Sequence, residues 1–321
     1  MIILAPMEGL VDAPMRDILT RIGGIDRCVS EFIRVTEGPL NKGTILRIVP
    51  EALSGWTTRA GVPVHPQLLG SDPQWLGFNA GMLAEMGAPA VDLNFGCPAK
   101  TVNRHGGGAG LLRDPEVLAR IVTAVRAAVP AGIPVTAKMR LGYSDTSLAL
   151  DCAQALADSG AAEIAVHART KVDGYKPPAH WEWLARIREA VNVPVVANGD
   201  VWTHEDYQRI RDVSGCDAVM IGRGLVVCPD LAAQIRQQLA GKDIARMSWH
   251  SLQPWFADFF RQTQERVAPR HAPGRFKQWL AMLTQQFPEA RGLFDQLRRE
   301  TSADVVSATL GRLAGDGQYG P

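Results

Sequence analysis

A (β/α)8 barrel followed by a small all-helical domain is the fold this sequence predicts, and three observations carry it. Eight short runs rich in Val, Ile and Ala recur at 2–7, 28–33, 64–69, 90–94, 135–141, 163–168, 194–198 and 218–221. Their near-continuous apolarity is what strands covered on both faces require. Segments with helical spacing lie between them at 72–87, 114–129, 147–159, 181–191 and 203–213, with start signals such as Asp114 before Pro115. After Leu239 no strand-like run appears, and 249–266, 274–287, 289–300 and 303–313 all have helical periodicity. Residues 240–243 read as a linker that divides the chain into 1–243 and 244–321, and 315–321 read as a loose tail.

The length of 321 residues fits this division, because a barrel takes about 250 and the remainder suffices only for a small appendage. An open doubly wound sheet would place a glycine-rich dinucleotide turn after its first strand; here Met7-Glu-Gly-Leu-Val-Asp12 follows, which favours the barrel. With 46% apolar and 21% charged residues the chain is globular and not disordered. Five cysteines without a C-x-x-C pair indicate neither a disulfide framework nor a thiolate zinc site, so no metal and a reducing cytoplasm are expected. No apolar run approaches the roughly 18 residues of a membrane span, and the amino terminus lacks the basic region of a leader. The net charge of +1 hides a split. Residues 1–243 carry 24 Lys+Arg against 26 Asp+Glu, whereas 261–299 carry 8 against 3. A neutral body with a basic appendage suits an enzyme with an anionic partner at one end, although a solvated charged face gives the same arithmetic.

Chemistry in such a barrel sits where the strands end, so each strand is read for what it delivers there. Strand one ends in Pro6-Met7-Glu8, two in Glu31 to Arg34, three in Gln67, four in Asn94-Phe-Gly-Cys97-Pro. Strand five carries Lys138 and Arg140, six His167 and Arg169, seven Asn198-Gly199-Asp200, eight Gly222-Arg223. Glycine turns after strands seven and eight expose main-chain N–H groups and Arg223 adds a fork of donors, which together form a phosphate cradle. Lys138 and His167 emerge from apolar strands, where an ionisable group needs a partner such as an anion or an electron-rich ring. Cys28, Cys152, Cys216 and Cys228 fall in apolar elements and read as small core residues. Cys97 instead precedes proline at a strand exit, on a long glycine-rich connection over 96–110, and can act as a nucleophile or as a proton donor.

The ordered set Ala5-Pro-Met-Glu8, Gln67, Asn94-x-Gly-Cys-Pro98 with Lys100 and the 106–110 glycine run, Lys138-x-Arg140, His167-x-Arg-Thr170, Asn198-Gly-Asp200 and Gly222-Arg-Gly224 resembles the tRNA-dihydrouridine synthases across the whole barrel. Glu31-Phe-Ile-Arg-Val35 and Arg275-Phe-Lys-Gln-Trp279 are similar to the bacterial C subclass, which is associated with uridine 16 of the tRNA D-loop. The resemblance implies FMN over the barrel mouth, with its phosphate held by Asn198, Gly199, Asp200, Gly222 and Arg223. Its ring would be contacted by Pro6, Met7, Glu8, Gln67, Lys138 and His167. It implies hydride transfer to one carbon of the uracil double bond, protonation of the other by Cys97, and NADPH (or NADH) as reductant. Asn94 is expected to hold the uracil edge. Arg34, Lys100, Arg140, Arg169, Arg275 and Lys277 are expected to contact the tRNA D-loop and elbow, in the last two cases from the basic helical domain of an enzyme acting as a monomer. Trp279 shares a helical face with Phe276 and Leu280 and reads as core. Two other readings stay open. A flavin-dependent barrel acting on a free pyrimidine, such as dihydroorotate, leaves the basic appendage idle, and a non-catalytic tRNA-binding factor leaves Cys97 and the cradle idle.

Overall fold

The structure, a computed structural model, describes residues 1–104 and 106–315. Eight parallel strands close into a barrel in chain order: β1 (Ile2–Leu4), β2 (Arg27–Arg34), β3 (Val64–Leu69), β4 (Val91–Phe95), β5 (Val135–Arg140), β6 (Glu163–His167), β7 (Val195–Asn198) and β8 (Ala218–Ile221). Closure is made by β1 on β8, with Leu4 opposite Ile221. The first strand is shorter than its apolar run, since Pro6 has no N–H for the ladder.

Alternation along each strand decides what faces the barrel axis. In β4, Val91, Leu93 and Phe95 join the apolar layer under the surrounding helices, and Asp92 and Asn94 take the other parity. In β5, Val135, Ala137 and Met139 face outward and leave Thr136, Lys138 and Arg140 inward. A small inner cluster of Ile3, Ala5, Val29, Ala165, Val196 and Met220 fills part of the axis. Across the axis Arg27 of β2 pairs with Glu163 of β6. The barrel interior is therefore unusually polar, and its polar residues are the raw material of a site.

Around the strands run α1 (Ala13–Ile22), α2 (Lys42–Ile48), α3 (Pro73–Glu85), α4 (Lys100–Arg104), α5 (Pro115–Ala128), α6 (Ala149–Asp158), α7 (Glu182–Ala190), α8 (His204–Ser214), α9 (Arg223–Val227) and α10 (Leu231–Leu239). Side-chain caps start several of them: Asp12 accepts from Met15 N, Asp72 from Trp75 N, Asp114 from Glu116 N, and Thr203 forms a capping box with Asp206. Helix α1 escapes the periodicity reading because Arg16, Asp17 and Thr20 are buried along with its apolar residues. Arg16 is satisfied there by both oxygens of Glu51 (2.8 and 2.9 Å) and by the carbonyls of Val11 and Ile48. The 96–110 connection is likewise less open than its glycines suggest, since it holds α4 and a 3-10 turn over Gly108–Arg113.

After an irregular stretch over 240–248 come α11 (Trp249–Gln264), α12 (Ala272–Leu283), α13 (Glu289–Leu297) and α14 (Ala303–Gly315). The stretch is pinned, with Met247 N donating to Asp230 Oδ2 (2.7 Å) and Ala245 N to Gln237 Oε1 (2.8 Å). Phe256, Phe259, Phe276 and Trp279 pack edge to face and belong to the same apolar cluster as the outer layer of the barrel. Trp279 is fully buried, as its helical face indicates, and its Nε1 donates to Val226 O at the end of α9 (3.1 Å). Of the tail expected over 315–321, residue 315 closes α14 and 316–321 lie outside the described residues. Among the described residues no helix is long and apolar enough to cross a membrane, and no cluster of three His, Cys, Asp or Glu is placed to hold a metal.

Candidate active site

The carboxyl ends of the strands surround a cavity of about 510 Å3, a size that suits a small organic ligand. Its lining brings together Pro6, Met7, Glu8, Gln67, Asn94, Cys97, Lys138, Arg140, His167, Arg169, Asn198, Gly199, Asp200, Gly222 and Arg223, which the sequence had placed on seven different strand ends. Arg34, Lys100, Arg275 and Lys277 are not part of that lining. Tyr175 and Trp202 are, and neither was named from the sequence; Phe32 and Gln278 are as well, named there only inside the 31–35 and 275–279 motifs.

One side of the cavity is a cation field. Lys138, Arg140, Arg169 and Arg223 face it, against two carboxylates, Glu8 and Asp200, and Asp200 is neutralised by Arg169. Burial, followed by the charges of Arg140, Lys138, Arg169 and Arg223, holds the His167 imidazole well below its usual pKa, so it is neutral. Lys138 is lowered to about 8 by burial and by Arg140, with Asp92 opposing, and its Nζ donates to Asn198 Oδ1 (3.2 Å). Asn198 Nδ2 donates to Met220 O (2.7 Å), which orients that oxygen. So many buried cations around one space favour an anionic ligand.

The turns after β7 and β8 are built for close approach. Gly199 has φ +132°, and a Cβ there would come 3.1 Å from Ala179 Cβ and 3.3 Å from the His167 ring. A Cβ on Gly224 would lie 2.1 Å from Val201 O, so the segment that follows β8 can pack against β7's turn only with glycine. Arg223 extends beside these turns with its guanidinium 4.8 Å from the Tyr175 ring and 5.0 Å from the Trp202 ring, stacking that fixes its planar fork. Cationic forks, glycine turns and a partly apolar cavity fit a ligand that joins an anionic group to a ring, as a flavin nucleotide does.

Cys97 follows β4, beside Lys138 and Arg140 of β5, and is half-buried against Phe32, Leu69 and Val102. Burial pushes its thiol pKa up, although the Ala99 N–H works the other way. Its main chain is clamped: Cys97 N donates to Asn94 Oδ1 (2.9 Å), and Cys97 O accepts from Ala109 N (3.1 Å) and Asn103 Nδ2 (2.9 Å). The other four cysteines are buried and free, matching their reading as core residues.

Several of the expected site residues also make bonds within the protein. Asn94 is engaged within the wall, since Oδ1 takes the N–H groups of Gly96 and Cys97 and one N–H of Nδ2 goes to Gln67 Oε1 (2.7 Å), leaving the second Nδ2 hydrogen as its remaining donor. Arg140 braces main chain, donating to Gly96 O, Thr170 O and Gly174 O, and is 2% exposed. Arg169 is fully buried between Lys176 O and Asp200. The Asp200 carboxylate also accepts from Ala179 N (3.0 Å), so it orders the turn. Arg275 donates to Asp12 Oδ2 (2.8 Å) and Leu10 O (2.5 Å), which ties α12 to the β1–α1 loop. Lys277 donates to Glu300 O (2.8 Å) and Arg298 O (3.3 Å) just past α13. Both side chains are thus already held within the protein. Arg34, Lys100, Arg104, Arg270, Arg291 and Arg299 are exposed.

Comparisons with known proteins agree with this geometry. The family model described as dihydrouridine synthase (Dus) matches residues 3–303. The tRNA-dihydrouridine(16) synthase of Aquipseudomonas alcaligenes is 59% identical over 309 residues, covering 96% of this chain and 98% of that protein. The tRNA-dihydrouridine(16) synthase of Shewanella oneidensis is 46% identical over 306 residues, covering 95% of this chain and 96% of its own length. Among solved structures, the old yellow enzyme homologue from Zymomonas mobilis superimposes with a TM-score of 0.54 at 13% identity, covering 79% of this chain and 91% of that one, a likeness of fold alone. With the family model spanning barrel and appended helices alike, and with the Asn94 to Pro98 element forming the wall of the cavity, this chain belongs to the dihydrouridine synthase family.

Proposed function

We propose that this protein reduces the C5–C6 double bond of uridine 16 in the tRNA D-loop, with FMN bound in the barrel mouth and NADPH as reductant. The observation that carries the reading is a clamped, half-buried thiol facing a cation-lined cavity of ligand size. Reduction of a carbon–carbon double bond needs two electrons and two hydrogens, of which a flavin held in this cavity supplies the electrons and one hydrogen. The second hydrogen has to come from the protein as a proton. Cys97 is suited to hold it, since burial keeps its Sγ protonated at neutral pH. Arg223 with the Gly222 and Gly199 turns is assigned to the phosphate, and Gln67, Lys138 and neutral His167 to the ring. Arg34 and Lys100, on the Cys97 side of the rim, are assigned to RNA phosphates, and Arg140 and Arg169 to keeping the walls rigid. We assign residues 1–243 to the cofactor and the chemistry and 244–321 to RNA docking, in a cytoplasmic monomer.

Incubation of the flavin-loaded protein and NADPH with tRNA lacking dihydrouridine tests this directly. Dihydrouridine is expected at position 16, and free uridine or dihydroorotate should be untouched. Turnover of the free pyrimidine with tRNA inert would establish the small-molecule reading instead. Within the cavity, Arg223→Ala should cost more flavin on dialysis than Lys138→Ala, because a charge-assisted phosphate contact anchors the ligand and Lys138 is already engaged with Asn198. Equal or reversed losses of flavin absorbance would place the phosphate elsewhere.

A further inference from the structure

Asp92 is a carboxylate that the proposed chemistry leaves unused. It lies inside the barrel on β4, 3% exposed, and accepts from Thr136 Oγ1 (2.5 Å) and Gln67 Nε2 (2.6 Å). Gln67 Oε1 accepts from Asn94 Nδ2 (2.7 Å), and Asn94 Oδ1 accepts from Gly96 N and Cys97 N (both 2.9 Å). The direction of this chain is set at its outer end. Main-chain amides only donate, so Asn94 presents oxygen to them and nitrogen to Gln67. Gln67 must then present oxygen to Asn94 and nitrogen to residue 92. An acceptor at position 92 is the condition that satisfies the whole series; without it a buried amide nitrogen is orphaned, and Gln67 gains by turning.

We propose that Asp92 is a positioning residue: by accepting from Gln67 it fixes that amide against the cavity and, through Asn94, holds the Cys97 turn in place for proton delivery. This rests on the reading of Cys97 as proton donor. Acceptance, not charge, is what the series requires. An asparagine at 92 can turn its oxygen to Gln67 and its NH2 to Thr136 Oγ1, whose hydroxyl also accepts, whereas alanine offers Gln67 nothing.

The test compares Asp92→Asn and Asp92→Ala in the flavin-loaded protein, reading Cys97 alkylation by iodoacetamide and the kcat and KM for tRNA. The four buried cysteines serve as internal references. Asp92→Ala is expected to alkylate Cys97 about tenfold faster and to lose about tenfold in kcat with KM unchanged, the scale of one hydrogen bond. Asp92→Asn should recover most of both. Gln67→Leu, which cuts the series one link nearer the thiol, should repeat the faster alkylation and stands in if Asp92→Ala does not fold. Asparagine behaving like alanine would overturn the proposal by showing that charge is what matters, as would wild-type alkylation in Asp92→Ala or Gln67→Leu. Alkylation reads the coupling without turnover, so a Cys97→Ala protein that still reduces tRNA would remove the proton-donor role and leave this measurement standing.

Discussion

Replacing Cys97 with alanine is expected to slow tRNA reduction by roughly 10²–10⁴-fold, the usual cost of removing a positioned general acid, and to leave flavin in place. The separation of effects follows from the geometry. Cys97 packs on Phe32, Leu69 and Val102, on the far side of the cavity from Arg223 and the glycine turns. Its main-chain clamps, donated to Asn94 and accepted from Asn103 and Ala109, do not use the thiol and survive the substitution. The reductive half of the cycle should therefore run normally, with NADPH bleaching the flavin and oxygen restoring it. Because burial raises the thiol pKa, the wild-type acid is lost only as pH rises through and beyond the ordinary thiol range, so the proton-dependent step should be flat across neutral pH and fall on the alkaline side. Stopped-flow reduction and reoxidation of the flavin, with and without tRNA, measures each half. Reoxidation by tRNA at the wild-type rate in the alanine protein would make Cys97 a packing residue.

Trp279→Ala is expected to cost about 3–5 kcal/mol of stability, as large aromatic truncations in cores do. The reason this matters for function is where the indole points. Its ring sits against Phe256 and Phe259, and its Nε1 holds Val226 O at the end of α9, the helix that begins at Arg223. Loosening that contact should weaken flavin retention from a residue that touches no part of the cavity. Trp279→Phe keeps most of the packing and gives up the hydrogen bond, so it should fall between. Calorimetric unfolding together with flavin content after dialysis checks the pair. A destabilised alanine protein that keeps its flavin as well as the wild type would uncouple the appended helices from the cradle. The same contacts imply that a chain ending near Asp243 exposes an apolar face and does not behave as a free-standing barrel.

The barrel was legible because strands buried on both faces announce themselves by continuous apolarity, and the polar residues that interrupt them at strand ends converge once the strands close. That is why Gln67, Asn94, Lys138, His167 and Asn198 were found without a structure. Tyr175 and Trp202 carry no such signal, since they reach the cavity from loops whose path only the fold defines. Gln278 comes from α12, far along the chain. Charge arithmetic counted Arg275 and Lys277 as part of a basic excess but could not see that Asp12 and the Glu300 and Arg298 carbonyls already hold them. The place of Asn94 in the wall was legible but its bonds to the Cys97 turn and to Gln67 were not, because one strand residue looks the same whether its amide faces ligand or turn. A sequence reports where donors are, and only packing reports what they are already holding.

The bond between Arg275 and Asp12 also sets an order of events during synthesis. Asp12 both caps α1, through Met15 N, and anchors α12, and its arginine partner lies 263 residues further along the chain. At bacterial or eukaryotic elongation speeds of about 5–20 residues per second, on the order of tens of seconds pass before Arg275 is made. Until then the loop carrying Met7 and Glu8 has neither that brace nor, for most of the interval, the closing strand β8 beside β1. The nascent chain thus cannot assemble the rim of the cavity early, and a ribosome that stalls before α12 leaves behind a product with an unbraced cofactor loop, open to proteolysis and not to chemistry.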